Sequence, residues 1–190
     1  MMERIIRTRE AIYNYFHSST ECQKFFFDLA NEEKFAAYYN SMYLLQDTTE
    51  SLWNHRQSGF SENPLQAYLE FWGVMQAVFI QQEAIAEICE IVTGQRLNPW
   101  SIKAWAEIRS VRNVCAGHPA KKDIPKTAPL TRSFMGRGFG GYDEIVYEQW
   151  QQGSGTTHPR IKLGALLDEY AIEAEALLNT VLSAMKKRWP

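Results

Sequence analysis

Between Asn63-Pro64 and Gly94 the chain places apolar residues on nearly every side of a helix. Phe71, Trp72, Val74, Met75, Val78, Phe79, Ile80, Ile85 and Ile88 all fall in the stretch from Leu65 to Val92. A helix that lies on a surface keeps a polar face, whereas one that is apolar all round has to be covered on several sides. Asn63-Pro64 reads as an N-cap followed by proline at the first helical position, and Gly94 as the C-terminal stop. Gly73, inside the run, would let a neighbouring backbone approach closely. Such a helix commits the chain to surrounding it with other long helices.

The flanking segments offer those partners. Ile5, Ile6, Ile12, Tyr13 and Phe16 recur near helical spacing over about residues 2–16, and Ser18-Ser19-Thr20 then breaks the pattern. Thr20 is placed to cap a long second helix reaching about Gln57. Phe25, Phe26, Leu29, Tyr38, Met42, Leu45, Leu52 and Trp53 are expected to face inward there, and Asn31-Glu32-Glu33-Lys34 outward. Asn98-Pro99 repeats the cap-and-proline start, predicting a helix from Pro99 to about Ala116 that ends at Gly117. Residues 117–133, with three prolines and three lysines, read as a loop. Tyr142–Trp150 and Arg160–Leu163, separated by Gly153-Ser154-Gly155, pair as a short hairpin. A final helix over about 164–188 carries Leu167, Tyr170, Ala174, Leu177, Val181 and Met185 on one stripe. That stripe suits burial within the subunit, or half of a helix-to-helix dimer contact. The expected fold is all-α: one domain over residues 1–190, a helical bundle with long antiparallel helices and a small β-hairpin before the C-terminal helix.

At 190 residues the chain can bury one substantial core. Its N-terminus shows no signal-peptide core and no apolar run reaches membrane-spanning length, so the expectation is a cytoplasmic protein without a membrane partner. Cys22, Cys89 and Cys115 are widely spaced and include no Cys-x-x-Cys pair, which suits reduced thiols; Cys115 reads as a small buried side chain. His17, His55 and His158 stand apart from one another and from paired carboxylates, so they read as surface or helix-end residues and no zinc site is expected. No metal and no cofactor is called for. Gly136-Arg137-Gly138-Phe139-Gly140-Gly141 has the letters of a dinucleotide motif without the strand before it or the helix after it, and reads as a flexible loop. Arg137 and Phe139 are subsidiary candidates for contact with RNA.

The net charge of −2 is unevenly spread: residues 96–137 hold nine basic residues against Glu107 and Asp123, while the remainder holds eleven basic and twenty acidic ones. A local positive field on an acidic body draws a polyanion to one place without coating the protein in it. The alternative is a set of solvated charges balanced by acidic helices elsewhere. Inside this window lies the densest chemistry in the chain. Arg112-Asn113 is followed, after four residues, by His118-Pro119, with Gly117 immediately before the histidine. Arginine stays charged and grips two phosphate oxygens at once, while histidine, with an ordinary pKa of about 6.5, exchanges protons near neutrality. Arg109, one turn earlier, is placed to reach an adjacent phosphate, and Lys121 and Lys122 extend the basic run.

The pair Arg112…His118, with Asn after the arginine and a small residue before the histidine, resembles the Arg-x4-6-His signature of the HEPN superfamily. The arrangement of helices, motif, loop, hairpin and last helix is similar to the family's. Many members are metal-independent ribonucleases of toxin, abortive-infection or other antiviral defence systems, acting as dimers whose motifs share a cleft. By that resemblance His118 handles protons, Arg112 holds the scissile phosphate and Asn113 orients the pair. Arg109, Lys121 and Lys122 bind RNA, and a homodimer and an antitoxin or other defence-system protein are the implied partners. One position departs from a family subgroup: where a tyrosine two residues after the histidine is modified by a nucleotidyltransferase, this chain has Ala120. Two other readings stay open. One is a HEPN-like module that holds RNA or protein without cutting. The other is an accidental motif, in which Arg112 makes a surface salt bridge and His118 caps the helix.

Overall fold

The structure, a computed structural model, describes residues 2–117 and 129–190. Among the described residues six α-helices order the chain: α1 (Met2–Ser18), α2 (Thr20–Phe27), α3 (Glu32–Ser58), α4 (Pro64–Thr93), α5 (Lys103–Arg112) and α6 (Leu163–Arg188). The fold is predominantly all-α, with a small antiparallel strand set before α6.

Helix α4 forms as its terminal signals dictate. The Asn63 side chain accepts the Leu65 and Gln66 N–H groups, Pro64 occupies the first turn, and Gly94 closes the helix in the left-handed conformation. Phe71, Val74, Met75, Val78, Ile85 and Ile88 are buried. Trp72 departs from the expectation and is 38% exposed. Gly73 departs too, because nothing lies within 4 Å of where its Cβ would be.

Helices α1, α3, α4 and α6 close a four-helix bundle in which α1 and α4 each pack against both α3 and α6. Side-chain pairings set the directions. His55 faces Glu70 while Thr48 and Thr49 meet Gln81, so α3 and α4 are antiparallel. Arg9 reaches the Met42 carbonyl and Phe16 stacks on Phe35, so α1 and α3 are antiparallel as well. Arg4 pairs with Glu175 and Tyr15 donates to the Trp189 carbonyl, which makes α6 parallel to α1. Tyr170 donates to Gln81 and Arg188 to the Val92 carbonyl, which makes it parallel to α4. The excursion through α5 and the strands returns the chain to the end where α4 began, so α6 must run in the same sense as α4. The α6 stripe is buried within this bundle, except that Leu177 is half-buried and Leu178 takes the interior position.

Two helices end differently from expectation. The long helix over 20–57 is two helices, because Asp28 leaves the helical region and its carboxylate accepts the Ala30 N–H, starting a 3-10 turn over Leu29–Asn31. A short acidic side chain bonded to nearby backbone competes with the helix ladder in this way. Ser19, not Thr20, is the cap, accepting the Cys22 N–H at 3.2 Å. Leu29 and Trp53 are then exposed, while Phe25 and Phe26 pack on Trp189. Asn98 caps only a 3-10 turn, Pro99–Ser101; Ile102 is extended, and α5 begins at Lys103. Its first turn is satisfied from a distance by Glu173 of α6, whose carboxylate accepts the Ala104 N–H at 3.0 and 3.2 Å.

The expected pairing of the two segments is β2 (Ile145–Val146) with β5 (Arg160–Ile161); beyond it β3 (Glu148–Gln151) pairs with β4 (Gly155–Thr157), which begins at a glycine the expectation placed in the turn. A fifth strand, β1 (Thr131–Phe134), pairs with β3 from within the segment read as loop. It is short, mostly exposed and at the edge, so it shows no alternation in sequence. The glycine-rich segment before β2 is anchored, contrary to the reading of a flexible loop. Phe139 is buried against Phe60 and Phe71, which removes it as an RNA contact, whereas Arg137 is exposed. Gly140 has φ +100°, and a Cβ there would overlap the Glu144 carbonyl oxygen.

Cys22, Cys89 and Cys115 are free and buried, and burial pushes their thiols up to about 11, about 12 and about 12. Only a thiolate alkylates readily. The native protein at pH 8 is therefore expected to resist iodoacetamide, and the unfolded chain to take three labels in mass spectrometry. Stoichiometric labelling of the native fold would show that this core opens.

Candidate functional site

Helix α5 lies across α4 and α6 with Ala104, Trp105, Ile108 and Val111 turned inward. Trp105 is fully buried against Tyr170 of α6, with ring centroids 5.8 Å apart. Residues three and four apart share a helix face, so the edge next to this buried row presents Arg109 and Arg112 together, one turn apart, toward α4.

Both guanidiniums converge on one ring. The guanidinium carbons of Arg109 and Arg112 lie 4.4 and 4.5 Å from the centroid of Phe79. Arg109 donates from Nε to the Gln82 side-chain oxygen at 2.7 Å, and Gln82, fully buried, donates to the Trp105 carbonyl at 3.5 Å. Arg112 donates to the Gln76 side-chain oxygen at 3.2 Å and, more weakly, to Asn113 at 3.4 Å. Neither arginine forms an ion pair among the described residues. Burial lowers the Arg109 pKa; the Glu83 carboxylate opposes that and the Arg112 charge adds to it. Cation–π contact and neutral amides hold two like charges side by side without neutralising either. An anion placed between them would relieve both the repulsion and the unmatched charge.

Past Arg112 the helix does not run on in α form to a stop at Gly117. It widens into a π-helical turn over Asn113–Gly117, and the Asn113 N–H is shared between the Arg109 and Ser110 carbonyls. Such widened turns recur at functional sites because they redirect the side chains that follow. Asn113 is exposed and Cys115 stays buried. His118, Lys121 and Lys122 lie outside the described residues. Elsewhere in the basic window Lys103 sits 3.7 Å from Glu169, while Arg96, Arg132 and Arg137 are exposed.

No protein-family model, curated protein or solved structure matches this chain.

The site contains three residues that the sequence reading assigned to a plain buried helix. Gln76, Phe79 and Gln82 stand three apart on one face of α4 and receive both arginines. Their signal was present: glutamines flank a phenylalanine at helical spacing within an otherwise apolar run. Along the same helix Leu65, Leu69 and Trp72, at 55%, 63% and 38% exposure, form an apolar stripe that leads to Gln76.

His55 is a helix-end residue as expected, in the last turn of α3, but it is half-buried, with Nδ1 2.7 Å from the Tyr142 hydroxyl and Nε2 3.6 Å from a Glu70 carboxylate oxygen. The Ser61 N–H, bonded to that carboxylate, holds the Glu70 pKa below the usual range. Phe60 packs on both His55 and Tyr142. The cluster fastens the α3–α4 connection and the glycine-rich corner onto the bundle. His17 stands beside Tyr13, and His158 is exposed at 3.9 Å from Glu148. Among the described residues no three His, Cys, Asp or Glu side chains gather as a metal site needs, and no helix is long and apolar enough to cross a membrane.

Proposed function

We propose that this protein is a metal-independent, HEPN-like endoribonuclease of a toxin or phage-defence system, acting in the cytoplasm as a homodimer. The observation that carries the reading is the pair of guanidiniums, Arg109 and Arg112, held on Phe79 without an ion pair among the described residues. They lie directly ahead of the Asn113…His118 sequence. Arg112 holds the scissile phosphate and Arg109 its neighbour. His118 removes the 2′-hydroxyl proton or protonates the leaving oxygen, and Asn113 orients Arg112. The 2′-oxygen attacks phosphorus, the P–O5′ bond breaks, and the product carries a 2′,3′-cyclic phosphate.

One histidine in each motif makes two copies chemically useful, since attack needs a base and departure an acid. The exposed Leu65, Leu69 and Trp72 stripe beside Arg112 is a face that a second copy can cover. A toxin of this kind also takes a protein antitoxin as its partner. The test is cleavage of paired RNA and DNA oligonucleotides of one sequence in EDTA. RNA is expected to be cut to cyclic-phosphate ends and DNA to resist. Equal cleavage of DNA sinks the proposed chemistry.

A further inference from the structure

We infer that the cleft between α1 and α3 binds a nucleoside monophosphate, free or as one unit of a single strand, with the base between aromatic side chains and the phosphate on Arg9. Two ring pairs, each one helical turn apart, line the cleft: Tyr13 with His17 on α1, centroids 4.3 Å apart, and Tyr39 with Tyr43 on α3, 4.7 Å apart. The cavity they border measures about 170 Å³. Tyr13, Tyr39 and Tyr43 are 45%, 53% and 50% exposed, as is much of Phe27 beside them. This much aromatic surface gathered at one cavity is the composition of a stacking platform.

One charged group selects among occupants. Arg9 borders the same cavity, with its guanidinium carbon 5.3 Å from the Tyr13 ring and Nε donating to the Met42 carbonyl at 3.3 Å. It forms no ion pair among the described residues, although it also borders the next cleft along, which Glu10 and Glu50 line as well. Its terminal nitrogens make no hydrogen bond among the described residues and can take an anion. An alkyl chain offers Arg9 no charge, and inorganic phosphate leaves the rings uncovered. A heteroaromatic ring carrying a phosphate meets Arg9 and stacks on the walls.

The site is separate from Arg112 and does not rest on the ribonuclease reading. Calorimetric titration of the full chain with AMP, adenosine, inorganic phosphate and an eight-residue oligoadenylate tests it. AMP is expected to bind saturably, and adenosine and phosphate each at least about tenfold more weakly. Tighter binding of oligoadenylate than of AMP, kept in Arg112→Ala and lost in Tyr39→Ala, assigns the site to a strand; equal binding assigns it to the free nucleotide. Arg9→Gln should erase the advantage of AMP over adenosine, and Tyr39→Ala should weaken both by about tenfold. Tyr39 is half-exposed, so its variant keeps the test valid should Arg9→Gln fold poorly. Arg112→Ala should bind AMP as the wild type does. Absence of saturable AMP and oligoadenylate binding, binding indifferent to Arg9 and Tyr39, or binding lost with Arg112→Ala would each overturn the proposal. So would occupation of the cleft by a protein partner in place of nucleotide.

Discussion

His118→Ala is expected to lower cleavage of a tRNA pool in EDTA by at least about 100-fold, the usual contribution of a positioned acid or base. Its unfolding free energy should stay within about 0.5 kcal/mol of wild type. Arg112→Ala should fall as far in activity and as little in stability. Its hydrogen bonds go to exposed Asn113 and Gln76, which water can satisfy, and Arg109 still covers Phe79. Arg112→Lys separates charge from geometry, because an ammonium keeps the charge but loses the bidentate grip and the stacking on Phe79. It should recover only part of the activity. Full activity in His118→Ala would remove the histidine from the mechanism. Loss of activity in step with loss of fold would mean that the motif is a structural coincidence.

The largest stability change is expected at Trp105. Trp105→Ala should cost about 3–5 kcal/mol, because a fully buried indole leaves a cavity between α5 and α6. For a chain of this size the melting temperature falls by on the order of ten degrees. Trp105→Phe should cost distinctly less, for a reason beyond its volume. The indole N–H is buried without a partner among the described residues, and removing it also removes a desolvation penalty. Paired thermal melts of the two variants measure the difference. Equal destabilisation by Ala and Phe would show that the Trp105 N–H has a partner after all.

The elements that were legible in the sequence are those whose causes are local. Asn63-Pro64 and Gly94 bound α4 because a side-chain cap, a preset φ and a left-handed glycine act within a few residues. The inward faces of α5 and of most of α1 and α6 followed from apolar spacing, Tyr13 being exposed, and burial of Cys115 from its place on such a face. The motif arginine and its neighbour Arg109 were visible for the same reason, lying one turn apart on the less apolar side.

Other features depended on residues distant in sequence. Asn98-Pro99 has the same letters as Asn63-Pro64, yet α5 begins later, because Glu173 of α6 supplies the first-turn acceptor at Ala104. The direction of α6 follows from the length of the excursion before it. Phe79 carries both arginines because α5 crosses α4 there, and His55 became a fastening residue only when Tyr142 arrived from the strand region. By itself, then, the sequence determined the bounds of α4, the helical class of the fold, most of the buried faces and which residues are chemically equipped to meet a phosphate. The tertiary structure alone decided which side chains hold those residues in place and which clefts form between helices. Caps and periodicity are nearest-neighbour effects, whereas converging side chains come from backbone far apart along the chain and meet only once the core has packed.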